Sequence, residues 1–141
     1  MSRSGYSEDC DNLGLWRGAV ESAIRGKRGQ AFLREMAGAL DAMPVKELVA
    51  DVVVRSDKSV CAIGSVAIAR GMDVEGLDIY DGDSVAKAFD VAGALAKEIA
   101  FMNDDDFGYE SGSETPAARW TRMRAWVAKQ IMAARSGGAD R

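Results

Sequence analysis

The chain has 141 residues and a net charge of −4, from 18 lysines and arginines against 22 aspartates and glutamates. Hydrophobic residues make up 48% of it, which is sufficient for a core and excludes global disorder. The absence of histidine excludes histidine-dependent catalytic triads and histidine metal sites.

Two amphipathic helices are predicted near the start of the chain. Asn12 is expected to cap the first, which runs to about Arg25. Two glycines flank two cations at residues 26–29 and predict a break, and a second helix then covers residues 30–42 and ends before Pro44. Apolar residues at helical spacing carry this prediction: Leu13, Trp16, Val20 and Ile24, then Leu33, Met36, Ala37 and Leu40.

The next stretch permits two interpretations. A run of β-branched residues, a turn and a second apolar run predict a short β-hairpin near residues 48–63. The alternative continues a helix from Val45 through Ala50. Beyond this stretch, residues 64–71 are expected to form a helix of small residues, with Gly71 as its C-terminal stop.

Two longer helices are predicted in the second half of the chain. The first is capped by Asp83 or Ser84 and runs to about Met102 as one long central helix. A threonine–proline pair at residues 115–116 marks the start of the last helix, which runs to about Ala134. The core-facing residues of the last helix are Trp120, Met123, Val127 and Ile131.

These elements predict a mainly α fold, a compact bundle of about five helices. In one interpretation, the bundle also includes the short hairpin near residues 48–63. We expect a flexible tail at residues 1–11, a single helical domain at residues 12–135 and a second flexible tail at residues 136–141. Three tryptophans, seven methionines and wide apolar arcs exceed what a small helical domain needs, and a homodimer is one way to bury the surplus.

The cysteines and the apolar runs bear on the cellular compartment. Cys10 and Cys61 are too few for a four-thiolate zinc site, and both are expected to be reduced. The first residues lack the apolar stretch of a signal peptide, and no run approaches the roughly 18 apolar residues of a membrane span. We therefore expect a cytoplasmic protein that binds no membrane, cofactor or metal.

Charge is unevenly distributed along the chain. Residues 73–114 carry 12 acidic and 2 basic groups, whereas residues 115–141 carry 6 basic groups and 1 acidic group. Such a distribution indicates the kind of partner rather than the fold. We expect an acidic partner-binding surface, whose candidate contact residues are Asp78, Asp81, Asp83, Asp104, Asp105, Asp106 and Glu110.

The last helix offers an alternative binding surface, a basic face interleaved with an aromatic ring. Faces of this kind bind single-stranded nucleic acid or acidic protein surfaces. The interpretation we favour is a solvated face that offsets the acidic middle of the same molecule. The residues of this face are Arg119, Arg122, Arg124, Trp126 and Lys129.

Two further motifs are incomplete. Residues 103–114 place oxygen-bearing side chains at several positions of a calcium loop, but Phe107 replaces one ligand, so a solvated acidic loop is favoured. Residues 66–77 imitate the start of a helix-turn-helix whose second helix would cover residues 74–81. That helix would carry three carboxylates and no lysine or arginine, so phosphates would repel it.

Four stretches of the chain resemble small uncharacterised proteins encoded by bacteriophages and prophages of proteobacteria. They are GYSEDCDN, RGAVESAIRGKRGQAFLREMAGALDAMP, VCAIGSVAIARG and PAARWTRMRAWVAKQI. The resemblance covers most of the chain and implies a phage-encoded cytoplasmic accessory protein. Proteins of this size and setting are often inhibitors of host defence, such as anti-CRISPR proteins.

The sequence therefore predicts a non-catalytic protein that inhibits a host protein, such as a nucleic-acid-binding complex, through its acidic surface. Fixed carboxylates compete for the lysines and arginines that would otherwise hold phosphates. The alternatives are a nucleic-acid-binding accessory protein that uses the basic last helix, and a protein that binds or sequesters a small ligand.

Overall fold

The computed structural model describes residues 13–104 and 114–138, and these residues form six α-helices. The mainly helical fold is confirmed, with one helix more than expected. Within this part of the chain, no helix has the length and apolar character needed to cross a membrane. In chain order the helices are α1 Leu13–Arg25, α2 Lys27–Ala42, α3 Ala62–Arg70, α4 Gly82–Phe89, α5 Gly93–Asp104 and α6 Pro116–Gly138.

The helices pack around one cluster of buried apolar side chains. Helix α2 contacts α1, α3 and α6, and α5 contacts α1, α3, α4 and α6. The rings of Phe32 and Phe89 meet edge to face with centroids 6.0 Å apart and join α2 to α4. The apolar stripes predicted for α2 and α6 contribute the fully buried residues Leu33, Met36, Leu40, Met123 and Val127.

Local signals fix the C-terminal end of α3 and the start of α6 as predicted, whereas α3 begins at Ala62 rather than residue 64 and α6 extends past Ala134 to Gly138. Gly71 follows α3 in the left-handed region, with φ of 69°, and its N–H donates to the Ala67 and Ile68 carbonyls. The Thr115 hydroxyl accepts the Ala118 N–H at 3.1 Å and so caps the start of α6.

The break between α1 and α2 is shorter than residues 26–29, because α2 begins at Lys27 and Gly26 alone lies between the helices. Gly29 is a helical residue at the crossing of the two. A Cβ atom on Gly29 would lie 1.8 Å from the Ala23 carbonyl oxygen, so glycine is required there for close packing rather than for a turn.

The prediction of one long central helix that runs to about Met102 is wrong, because α4 and α5 occupy that stretch as separate helices. The break lies at Asp90, whose φ of 58° and ψ of 53° place it in the left-handed region. The N–H groups of Asp90 and Val91 both donate to the Ala86 carbonyl, which ends α4. Aspartate tolerates this conformation better than most residues. The apolar stripe continues across the break and conceals it in the sequence.

The hairpin predicted near residues 48–63 is not formed among the described residues. Val54 and Val60 form a single antiparallel bridge, and no strand extends from it. Asp51 has φ of 73°, which bends the chain at the start of the β-branched run and prevents a regular strand. The alternative helix through residues 45–50 is not formed either.

Residues 72–81 connect α3 to α4 through turns and contain no helix. The Leu77 N–H donates to the Val74 carbonyl, and the Asp81 N–H donates to the Asp78 carbonyl. The second helix of the helix-turn-helix imitation is therefore absent, and this connection instead lies along one side of a surface groove.

Candidate functional site

The connection between α3 and α4 carries a concentration of exposed negative charge. We call residues 73–83 the acidic segment, because five exposed carboxylates lie there and no lysine or arginine does. Among the described residues, the one ion pair of this segment joins Asp83 to Lys97 at 3.9 Å. The Asp83 side chain remains 88% exposed. The five carboxylates are Asp73, Glu75, Asp78, Asp81 and Asp83, of which Asp73 and Glu75 were not predicted as surface contacts.

Backbone hydrogen bonds hold several of these carboxylates in place. The Asp73 carboxylate accepts the Glu75 N–H at 3.0 Å, and the Asp78 carboxylate accepts the Tyr80 N–H at 2.9 Å. Asp81 caps α4 by accepting the Ser84 N–H at 3.2 Å and the Ser84 hydroxyl at 2.7 Å. These bonds from Ser84 lower the pKa of Asp81. The segment therefore presents charge from fixed positions.

The other predicted acidic contacts do not extend this surface. Asp105, Asp106 and Glu110 lie outside the described residues. Asp104 is only 5% exposed, and its carboxylate accepts the Asp51 N–H at 3.2 Å and the Asn103 amide at 2.9 Å. Placing Asp104 on the acidic exterior was wrong, because it belongs to a buried hydrogen-bond network at the end of α5.

Asn103 is the centre of that network. Its Oδ1 accepts the Ala62 N–H at the start of α3, and its Nδ2 donates to the Val49 carbonyl, each at 3.0 Å. The partners are 41 and 54 residues away in the chain, so no local pattern predicts them. Asn103 thereby fixes three parts of the fold relative to one another.

The end of α5 is joined to the start of α6 by a buried ionic cluster, which we call the α5–α6 joint. The fully buried Glu114 carboxylate lies 2.7 Å from Arg122 and 3.3 Å from Arg119. Arg119 also donates to the Asn103 carbonyl at 2.8 Å, and Arg122 donates to the Met102 carbonyl at 2.5 Å. Sequence reasoning missed this cluster because it treated the arginines as surface groups.

The predicted basic face is accordingly not one exposed surface. Arg119 is 7% exposed, and Arg119 and Arg122 bond to the α5–α6 joint. Arg124 donates to Asp41 at 2.8 and 2.9 Å, which lowers the pKa of that carboxyl. Trp126 is partly buried against the core, and Lys129 is exposed. These arginines compensate acidic groups of the same molecule.

Residues 103–114, which match a calcium loop incompletely, have both ends engaged within the protein. Asn103 contacts backbone groups through both side-chain atoms, and Glu114 pairs with two guanidinium groups. Cationic partners at the twelfth position are incompatible with calcium ligation by that carboxylate. Within the described residues, no group of three or more acidic or cysteine side chains is arranged to hold a metal ion.

Cys61 is buried at the start of α3 and is not disulfide-bonded. Its sulfur accepts the Gly64 N–H at 3.4 Å, and burial raises the pKa of the thiol to about 12. A thiol in this environment is a structural cap and is unreactive as a nucleophile. Cys10 lies outside the described residues.

A surface groove of about 590 Å³ lies between the acidic segment and residues 51–58. Its apolar lining includes Val52, Val54, Ile68, Met72, Val74 and Leu77, and its charged lining includes Asp51, Asp73, Glu75, Asp78, Arg55 and Lys58. No sequence pattern predicts this groove, because the chain segments that line it are irregular and meet only in the fold.

The chain was compared with three sets of known proteins. Protein-family models, curated proteins and solved structures were all compared with it, and none matches.

Proposed function

We propose that this protein is a non-catalytic binding protein whose acidic segment binds a basic surface of another macromolecule. The observation that carries the proposal is the set of five exposed carboxylates in residues 73–83, with no cation among those residues. Three of them, Asp73, Glu75 and Asp78, line a groove with apolar side chains, so charge and apolar contact are available at one surface.

The physical basis is electrostatic complementarity. A nucleic-acid-binding groove is lined with lysines and arginines, and a fixed array of carboxylates competes with phosphates for them. Because Asp73 and Asp78 are held by their own backbone hydrogen bonds, less conformational freedom is lost on binding. The sequence resemblance favours a more specific proposal. In it, the protein is a cytoplasmic phage accessory protein that inhibits a host defence protein in this way.

The test measures binding of a labelled polypeptide of about thirty residues rich in lysine and arginine, as a stand-in for a basic protein surface. The variant is the triple substitution Asp73→Asn, Glu75→Gln and Asp78→Asn. Asparagine retains the oxygen that accepts the turn hydrogen bonds, so the segment keeps its conformation. Each exposed ion pair contributes about 0.2–1 kcal/mol to binding. Because the variant removes three carboxylates, we expect the dissociation constant to rise about tenfold.

The matched control is the triple substitution Glu21→Gln, Glu47→Gln and Asp90→Asn. These three side chains are also exposed and lie outside the acidic segment, and their replacement removes the same net charge. We expect a change of less than about threefold for the control. Equal weakening in both variants would mean that binding follows net charge alone, and it would contradict the proposal.

A further inference from the structure

The groove beside the acidic segment is lined by more negative than positive charge. Within the parts of the chain that the structure describes, the carboxylates of the acidic segment that line the groove form no ion pair with its cations. These carboxylates are therefore available to a cation of an occupant. The charged lining consists of the carboxylates of Asp51, Asp73, Glu75 and Asp78 and the cations of Arg55 and Lys58.

Apolar side chains line both sides of the same groove. Ile68, near the end of α3, is 56% exposed. A cavity of about 150 Å³ holds a group the size of benzene, so a groove of about 590 Å³ has room for a large apolar side chain. Apolar surface rimmed by polar groups is typical of interaction sites. The partly buried apolar residues of the lining are Val52 and Val54 on one side and Met72, Val74 and Leu77 on the other.

Hydrogen bonds within the protein hold both sides of the groove in place. On one side, the Lys58 N–H donates to the Arg55 carbonyl at 2.9 Å and closes a turn. On the other side, the acidic segment is held by its carboxylate–backbone bonds. The Tyr80 hydroxyl donates to Asp51 and joins the two sides. An occupant therefore has little of the groove to order when it binds.

We infer that the groove binds a short segment of a basic partner protein, which inserts a large apolar side chain against Ile68 and places a neighbouring lysine or arginine against the acidic segment. This inference rests on the proposed function, because three of the four carboxylates of the groove belong to the acidic segment. It adds an apolar anchor that charge attraction alone does not have. The partner is thereby narrowed to proteins that expose an apolar side chain beside lysine or arginine.

The variant Ile68→Asp separates apolar contact from charge attraction. It removes an apolar contact and adds a negative charge, so it weakens the binding of an anchored segment but not the binding of a cation by charge alone. Ile68 is exposed, so the variant is expected to fold. Ile68→Ala, which removes apolar surface without adding charge and favours the helix, is the second variant. Val45→Asp, at a side chain that is 59% exposed and does not line the groove, is the matched control.

The probes are peptides about ten residues long, selected from a random displayed library for binding to the wild-type protein. No variant takes part in the selection, so sensitivity to Ile68→Asp is not built into the peptides. The dissociation constants of the selected peptides and of the lysine- and arginine-rich polypeptide are measured for the wild type and the three variants. Each selected peptide is then synthesised with alanine at each position in turn.

We expect the selected peptides to carry lysine or arginine and to bind Val45→Asp as well as the wild type. Their binding to Ile68→Asp is expected to be at least about tenfold weaker, and Ile68→Ala is expected to share part of this loss. Alanine at one large apolar position of the peptide is expected to weaken binding at least about tenfold at both about 0.05 M and about 0.3 M salt, because salt does not screen apolar contact. The polypeptide, bound by charge, is expected to bind Ile68→Asp at least as tightly as the wild type.

No enrichment of any peptide, or peptides that bind Ile68→Asp as tightly as the wild type, would overturn the inference. Peptides in which no apolar position is sensitive to alanine would also contradict it. A loss with Ile68→Asp that Ile68→Ala does not share would assign the effect to a disturbed α3 and would reject the anchor. A dimer in solution that Ile68→Asp dissociates would assign the groove to a second copy, with the same consequence.

The failure of the anchor inference is distinguishable from the failure of the proposed function. The polypeptide measurement depends on Asp73, Glu75 and Asp78 and needs no apolar contact. A segment-specific loss there, together with peptides that are insensitive to Ile68→Asp, retains the acidic site and rejects the anchor.

Discussion

Gly64 allows the start of α3 to pack directly on the backbone of Val53. A Cβ atom at this position would lie 2.0 Å from the Val53 carbonyl oxygen and 2.9 Å from the Val60 Cβ. Backbone contacts of this kind do not relax by a side-chain rotation. We expect Gly64→Ala to lower the free energy of unfolding by about 2–3 kcal/mol, measured by urea denaturation.

Gly38→Ala is the matched control for this substitution. Gly38 lies inside α2, and no atom is found within 4 Å of the position that its Cβ would take. Alanine is a better helix former than glycine, so we expect this variant to gain about 0.5–1 kcal/mol. Equal stability of Gly64→Ala and the wild type would contradict the close packing of α3 described above.

Glu35 and Arg70 form a pH-dependent link between α2 and α3. Arg70 donates to both carboxylate oxygens at 2.7 Å, and this hydrogen bonding lowers the pKa of Glu35 from its usual value. Because the pKa is lower in the folded state, the pair stabilises the fold above the unfolded pKa, and its contribution is lost as the pH falls through the folded pKa.

The variant Glu35→Gln tests this link. We expect the difference in unfolding free energy between wild type and variant to be constant above about pH 6 and to shrink as the pH falls below about 4. Urea denaturation at a series of pH values measures it. The control is Glu47→Gln, at an exposed side chain. It is expected to change the free energy of unfolding by less than about 0.5 kcal/mol at every pH. A difference for Glu35→Gln that persists unchanged at pH 3 would contradict the pairing.

At the scale of the elements, the α5–α6 joint is the contact whose loss matters most. The Glu114 side chain has no exposed surface. It neutralises Arg119 and Arg122, whose side chains are 9% and 18% exposed. Removing one partner leaves buried charge uncompensated, so we expect Glu114→Gln to cost about 3 kcal/mol of unfolding free energy. A loss below about 1 kcal/mol in urea denaturation would show that the cluster is hydrated and does not hold the helices together.

Helix ends were predictable where a single residue type specifies them. Gly71 provides the left-handed stop of α3, and Thr115 provides the cap of α6. The break at Asp90 was not predictable in the same way, because the apolar stripe continues through it and aspartate also occurs in ordinary helices. Gly29 was misinterpreted because a glycine required for close helix packing looks the same in the sequence as a glycine in a turn.

At the scale of the whole molecule, the sequence identified the charged regions but not their use. Asp78, Asp81 and Asp83 are exposed, whereas Asp104 is buried although it belongs to the same acidic stretch. Which carboxylates face solvent depends on tertiary contacts such as those of Asn103, whose partners are distant in the chain. The arginines of α6 were expected at the surface for the same reason, because the sequence does not show the tertiary contacts that they make within the protein.

The proposed function depends on the acidic segment as a binding surface, and the salt dependence of binding tests this most directly. The dissociation constant for the lysine- and arginine-rich polypeptide is measured from about 0.05 M to about 0.3 M salt for the wild type and for the triple variant of residues 73–78. We predict that wild-type binding weakens at least about tenfold over this range and that the variant loses most of this dependence. Wild-type affinity that is unchanged by salt, or a salt dependence equal in the variant, would contradict the account.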